Sequence, residues 1–233
     1  MWIGKIEEYI LYEDKEVLVC HKPAGMAVQN SRVGAMDMES ALKNYLAGKD
    51  CGKLPYLGII HRLDQPVEGV VVFAKTSRAA GELSRQISSG EMGKIYLAVT
   101  SQRPVSKAGE LVDHLKKDGR SNTSFVTTVN DPGGKEARLR YEMLEEATYG
   151  DKCKYLVRIK LDTGRHHQIR VQMAHAGMPL LGDRKYNPQD KGEVALGLCS
   201  SCLTFCHPAT KKKMTFETVP QGAAFQGFEM IKE

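Results

Sequence analysis

In the run His61-Arg62-Leu63-Asp64-Gln65-Pro66-Val67-Glu68-Gly69, a guanidinium and a carboxylate stand two residues apart. The chain then passes into Val70-Val71-Val72-Phe73-Ala74, whose β-formers predict a buried strand. A turn at a strand end can hold a reactive side chain rigidly and still expose it. A carboxylate in that position can serve as a nucleophile or take a proton. Taken alone, the same spacing also describes a surface ion pair. A second run, Leu161-Asp162-Thr163-Gly164-Arg165-His166-His167-Gln168-Ile169-Arg170, puts Gly164-Arg165 between a predicted strand and a predicted helix. Amides at a helix start attract anions, and Arg165 there can hold a carboxylate or a phosphate, or form a helix-terminal surface pair. His166 is read as a capping or packing residue.

Cys199-Ser200-Ser201-Cys202 with Cys206-His207 imitates a zinc cluster. The stretch 195–205 reads as a strand, however, and no second ligand pair stands at finger-like spacing, so no metal is expected. The six cysteines are expected to be reduced thiols. Lys211-Lys212-Lys213 reads as a lysine-decorated hairpin turn, ahead of a specific phosphate site.

These residues need a scaffold. The chain's 233 residues suffice for one large domain or two small ones, and 42% hydrophobic with 26% charged residues suits a soluble globular protein. No repeat, low-complexity tract or long linker interrupts it, so one domain over 1–233 is expected. Nothing approaches the ~18 consecutive apolar residues of a membrane span. The N-terminus lacks the basic-then-apolar pattern of a signal peptide, and a cytoplasmic protein is expected. A net charge of +5 suits a polyanionic partner.

Stretches 10–20, 94–99, 125–129, 137–144 and 154–161 alternate or carry β-formers. Helical spacing falls at 38–46, with Met38, Ala41, Leu42 and Tyr45 on one face. It recurs at 77–87, capped by Ser77 with Ala80, Leu83, Ser84 and Ile87 inward, and at 167–175, stopped by Gly177. Many strands with a few helices and no strict alternation predict an α+β fold with a mixed, mostly antiparallel sheet and flanking helices.

The motifs, taken together in order, closely resemble the RluA-type RNA pseudouridine synthases. They are Lys22-Pro23-Ala24-Gly25-Met26-Ala27-Val28, His61-Arg62-Leu63-Asp64, Lys94-Ile95-Tyr96-Leu97-Ala98, Thr163 to Arg170, Gly177 to Tyr186, and Leu203-Thr204-Phe205-Cys206-His207-Pro208. The series runs from about residue 10 to about residue 220. The resemblance implies the pseudouridine synthase fold, with an active-site cleft across the sheet. It also implies a catalytic domain without the N-terminal S4-like domain frequent in the family.

The implied reaction isomerises uridine in ribosomal or transfer RNA. The bond between uracil N1 and ribose C1′ breaks, and C5 is rejoined to C1′. No atoms enter or leave, so neither metal nor redox cofactor is needed.

By resemblance Asp64 is the catalytic carboxylate, and Arg165 at close range offsets its desolvation. Tyr96 stacks on the base and is placed to help remove the C5 proton, although it could also be a core aromatic of a strand. The base must leave the stack, and Arg62 matches the residue linked to filling the gap. His61 is expected to brace the loop, and Leu63 and Ile169 to pack around the pocket. Arg170 and Lys185 are candidates for phosphates, or are solvated charges.

The family commonly carries Thr-Ser-Gly where this chain has Val67-Glu68-Gly69. Glu68 is expected to point outward at the strand start; pointing inward, it would raise the pKa of Asp64. The expected partner is RNA alone, with no obligate protein partner, and the expected state is a monomer. The alternatives are a non-catalytic RNA-binding or RNA-folding protein on the same scaffold, a hydrolase using Asp64 and Glu68, and a zinc module.

Overall fold

The structure, a computed structural model, describes residues 5–30, 36–49, 55–190 and 194–231. In chain order its strands and α-helices are β1 (Ile10–Glu13), β2 (Val17–Lys22), α1 (Met38–Lys49), β3 (Gly58–Ile59), β4 (Glu68–Ala74), α2 (Ser77–Ser88), β5 (Gly93–Thr100), β6 (Ala108–Asp118), β7 (Thr123–Thr127), β8 (Lys135–Tyr149), β9 (Lys152–Leu161), α3 (Gln168–His175), β10 (Leu198–Cys206) and β11 (Lys213–Glu217). They form two compact units, Met1–Gly93 with Ser200–Thr218, and Lys94–Cys199 with Val219–Glu233.

The first unit orders its strands β1-β2-β4-β10, with β3 beside β4 and β11 beside β10. Strands β2 and β4 pair antiparallel, Lys22 opposite Gly69, and every residue of both is buried. Burial on both faces explains their continuous apolar runs, since an alternating strand would present polar side chains to the core. Val17, Val19, Val70, Val72, Leu203 and Phe205 form that core, and α2 packs on it through Ala79 and Leu83.

Two helix details correct the sequence reading. Thr76, not Ser77, caps α2: its hydroxyl oxygen accepts from the Ala79 amide at 3.1 Å. Leu83 is buried with Ala79 and Gln86, and Ala80 and Ile87 pack half-buried against the same core as expected, while Ser84 is exposed. On α1, Leu46 completes the buried face, and the half-buried Tyr45 donates to Glu13 at 2.9 Å. The lysine run lies where its hairpin reading placed it, in the β10–β11 connection, closed by the His207 amide on the Lys212 carbonyl at 2.8 Å.

The second unit is antiparallel in the order β5-β9-β8-β6-β7. Tyr96 of β5 faces Ile159 of β9 in register. Strand β6 has no clear signal in the sequence; Asp113 and His114 interrupt its apolar positions, and its long pairing with β8 supplies what its sequence lacks. Val171 of α3 packs with Leu115 and Ala137. Residues Gln168 to Met173 of α3 are all buried, so its polar side chains bond internally: Gln168 donates to Gln172 at 3.0 Å and to the Arg138 carbonyl at 3.1 Å.

Candidate active site

The Asp64 loop is pinned from several sides within the first unit. The Val67 amide donates to the Asp64 carbonyl at 3.0 Å, closing a tight turn. The Gly25 amide donates to the Gln65 carbonyl at 2.9 Å, and the Gln65 side chain returns a bond to the Gly25 carbonyl at 3.0 Å. His61 Nε2 accepts from the Val72 amide at 3.2 Å, which ties the start of the loop to β4. Leu63 is buried, Asp64 is half-buried and Arg62 is exposed. Gly69 adopts φ +122°, and a Cβ there would fall 2.4 Å from the Ser200 carbonyl oxygen. Both the backbone conformation and the close approach of β10 require glycine at this point.

Lys22, at the end of β2, is the residue that sequence reasoning missed. It is fully buried, and its ammonium donates to the carbonyls of Pro23 (3.0 Å), Met26 (2.7 Å) and Gln65 (3.1 Å). Gln65 follows Asp64, so the lysine fastens the reactive turn to the 23–26 turn. Burial drags its pKa down to about 7, against the opposing pull of Asp64 and Glu68. The signal was present in Lys22-Pro23-Ala24-Gly25, a stretch that reads only as a chain break and a motif segment.

Glu68 does not point outward. It is 4% exposed, and its Oε2 lies 3.9 Å from Nε2 of His21, itself buried. The reason is general to β4: both faces of the strand are covered, so its first residue has no solvent side. His21 Nδ1 shares a hydrogen with the Thr218 hydroxyl at 2.7 Å, while Nε2 makes no hydrogen bond among the described residues. Burial holds this imidazole below its ordinary pKa, with Glu68 opposing and Lys22 reinforcing.

The second unit carries Tyr96, Arg165, Ile169, Arg170 and Lys185. Tyr96 is 7% exposed. Arg165 is exposed; its Nε donates to the Glu136 carbonyl at 2.8 Å, and its amide donates to Gln168 Oε1 at 2.9 Å. His167 opens α3 at φ +53°, and its ring stacks on His166 with centroids 3.8 Å apart. His167 Nδ1 bonds the Tyr186 hydroxyl at 2.7 Å, and His166 Nδ1 bonds the Ser124 hydroxyl at 2.9 Å, so both imidazoles hold structure.

Ile169 is buried. Arg170 is buried too, its Nε and Nη2 donating to the two Asp183 oxygens at 2.8 and 2.7 Å. It braces the 183–187 turn instead of presenting itself to phosphate. Lys185 Nζ donates to the Asn122 carbonyl at 2.7 Å. Cys199 and Cys202 are buried on β10, and the described residues contain no His/Cys/Asp/Glu group able to hold a metal ion.

The Asp64 loop therefore presents a half-buried carboxylate on a turn braced by a buried lysine. The sequence pattern of the RNA pseudouridylate synthase family matches residues 16–175, and the chain belongs to that family. It is 38% identical over 179 residues to ribosomal large subunit pseudouridine synthase D of Xylella fastidiosa, covering 76% of this chain and 51% of that protein. Against the protein of the same name from Pseudomonas aeruginosa it is 36% identical over 234 residues, covering 93% of this chain and 70% of that one. The chain thus spans between about half and seven tenths of the length of these relatives. The fold matches human RNA pseudouridylate synthase domain containing 4 with a TM-score of 0.74 at 21% identity, over 91% of this chain and 88% of the human one. The α+β class and the family read from the motifs are both borne out.

Proposed function

We propose that this chain isomerises specific uridines in RNA to pseudouridine, with Asp64 as the catalytic carboxylate. The observation that carries the reading is the clamped turn: Asp64 sits in the family's motif, on a loop held by Lys22, Gly25 and His61. Such bracing keeps a carboxylate in one geometry while leaving it half-exposed. Ionised, Asp64 either adds to ribose C1′ or removes a sugar proton, and either event loosens the N1–C1′ bond. The base then turns, C5 bonds to C1′, and the C5 proton leaves while N1 gains one, so atoms and charge balance without a cofactor.

In this reading Tyr96 stacks on the base and assists at C5, and Arg165 supplies positive charge. Arg62, exposed beside Asp64, fills the gap left by the flipped base. The names of the relatives make large-subunit ribosomal RNA the first substrate to test, ahead of transfer RNA. The chain works in this scheme as a cytoplasmic monomer and a single catalytic domain.

The test is pseudouridine mapping of ribosomal and transfer RNA from cells with and without the gene, with Asp64→Asn as the rescue control. Loss at a defined uridine, restored by the wild type and not by Asp64→Asn, is expected. Rescue by the variant would remove Asp64 from its role. Free uracil released by the purified protein would point instead to hydrolysis.

A further inference from the structure

The lysine run sits on a turn that is braced from inside. His207 is 4% exposed, and its Nδ1 accepts from the Ala209 and Thr210 amides at 3.3 and 3.1 Å. Nε2 therefore carries the proton, and it donates to Asp14 Oδ2 at 2.7 Å. Asp14 in turn accepts from the Glu16 and Val17 amides, both at 2.8 Å. One imidazole thus ties the β10–β11 turn to the β1–β2 turn. Lys211 holds φ +59°, a conformation that glycine adopts without strain, with its amide on the His207 carbonyl at 2.9 Å.

The carboxylates around these turns are already matched with other cations. Glu13 takes Lys49 at 2.9 Å and Lys75 at 2.7 Å, and Glu16 takes Arg78 at 3.0 Å. Glu82 takes Arg85 at 3.0 Å and Lys211 at 3.3 Å. Lys15, Lys212 and Lys213 are exposed and have no carboxylate partner among the described residues. Positive charge is left over on two turns that are fixed to each other, which spares an arriving polyanion part of the cost of ordering them.

Both turns lie at the end of the β2–β4 ladder away from the reactive turn. The ladder runs from Val17 opposite Ala74 to Lys22 opposite Gly69; Asp14 bonds Val17, whereas Lys22 bonds Gln65. At ~3.3 Å per residue that strand spans about 17 Å. A single nucleotide at Asp64 cannot bridge this distance, but the RNA that flanks it can. We propose that the joined β1–β2 and β10–β11 turns are a second contact for the RNA backbone, with Lys15, Lys212 and Lys213 each meeting a phosphate. This inference rests on RNA being the substrate.

The experiment compares wild type with the triple variant Lys15→Gln/Lys212→Gln/Lys213→Gln and with the same three positions changed to Arg. A control of equal charge loss, Lys107→Gln/Lys135→Gln/Lys152→Gln, removes exposed lysines of the second unit. Large-subunit ribosomal RNA transcribed in vitro is the probe, with Kd measured against salt, pseudouridine formation, and Tm. The Gln triple is expected to bind roughly tenfold more weakly, with its log Kd–log salt slope reduced by about two to three. The loss should fall on KM, with kcat at saturating RNA and Tm close to those of the wild type. The Arg triple should retain most affinity, and the control triple should stay near the wild type.

Equal weakening in the two Gln triples would show attraction by net charge alone and overturn the proposal. A lowered Tm or a loss confined to kcat would show that the turns serve the fold or the reactive loop, and would overturn it too. So would unchanged affinity and slope in a preparation whose wild type makes pseudouridine; the reaction would then stand without the second contact. Binding that depends on these lysines, with no pseudouridine on any RNA tested, would keep the contact and overturn the reaction. No RNA binding by the wild type would overturn both.

Discussion

Lys22 sits where one proton affects both stability and activity, in opposite directions. Its folded pKa of about 7 lies below the ordinary 10.5 of an unfolded lysine. Between those values the unfolded chain holds more protons, so this group raises stability as pH climbs from about 7 toward 10.5. Activity should run the other way. Above neutrality the Gln65 carbonyl loses a charged donor, and the turn that carries Asp64 loses part of its clamp. An alkaline fall in kcat/KM that follows the loss of the Lys22 proton is therefore expected near pH 7 to 8. Glu68 pulls the Lys22 pKa upward, so Glu68→Gln must shift that limb to lower pH. A limb that stays put, or moves to higher pH, would mean that Lys22 is not the titrating group. His21 bears on the same measurement, because its burial keeps it neutral at these pH values and its own titration lies on the acid side.

Elements whose sequence agreed with their surroundings were the legible ones. Val70 to Ala74 announced β4, and the break at Gly177 announced the end of α3. Legibility failed where tertiary cover overrode local pattern. Glu68 reads as polar and therefore exposed, yet its strand is covered on both faces. Gln168 to Met173 contain polar residues with no outward face. Lys22 and Lys94 both stand within motifs, but only coordinates distinguish a lysine fastening three carbonyls from one that lacks an acceptor.

Two substitutions test the element scale. Gly69→Ala must place a methyl against the Ser200 backbone at a positive φ, so a loss above ~4 kcal/mol is expected, read as poor soluble yield or a large drop in urea midpoint. Arg170→Met strands Asp183, which is 1% exposed, as a buried unpaired charge. Its expected cost is about 3–5 kcal/mol, seen as a lowered Tm. A near-native Tm would mean that Asp183 is neutralised some other way.

At the scale of the molecule, a net charge of +5 is modest for a nucleic-acid protein, and its placement matters more than its size. In the second unit Arg138 pairs with Glu110 at 3.3 Å, Arg140 with Asp162 at 2.9 Å, and Arg158 with Glu142 at 3.3 Å. Those guanidiniums are exposed but locally neutralised, so they offer little to a phosphate. Arg62 and Arg165 are exposed without carboxylate partners among the described residues. Where such a cation meets a phosphate, removing it should flatten the salt dependence by a measurable step. Replacing Arg62 with Gln is expected to reduce the log Kd–log salt slope by about one, whereas replacing Arg140 with Gln should leave it within error. Removing Arg140 also exposes Asp162, so a fall in affinity with an unchanged slope would signal altered local charge rather than a missing phosphate partner. Equal slopes for the two variants would show that RNA is attracted by net charge alone. Binding would then not depend on the individual unpaired cations of the reactive loop and of the start of α3.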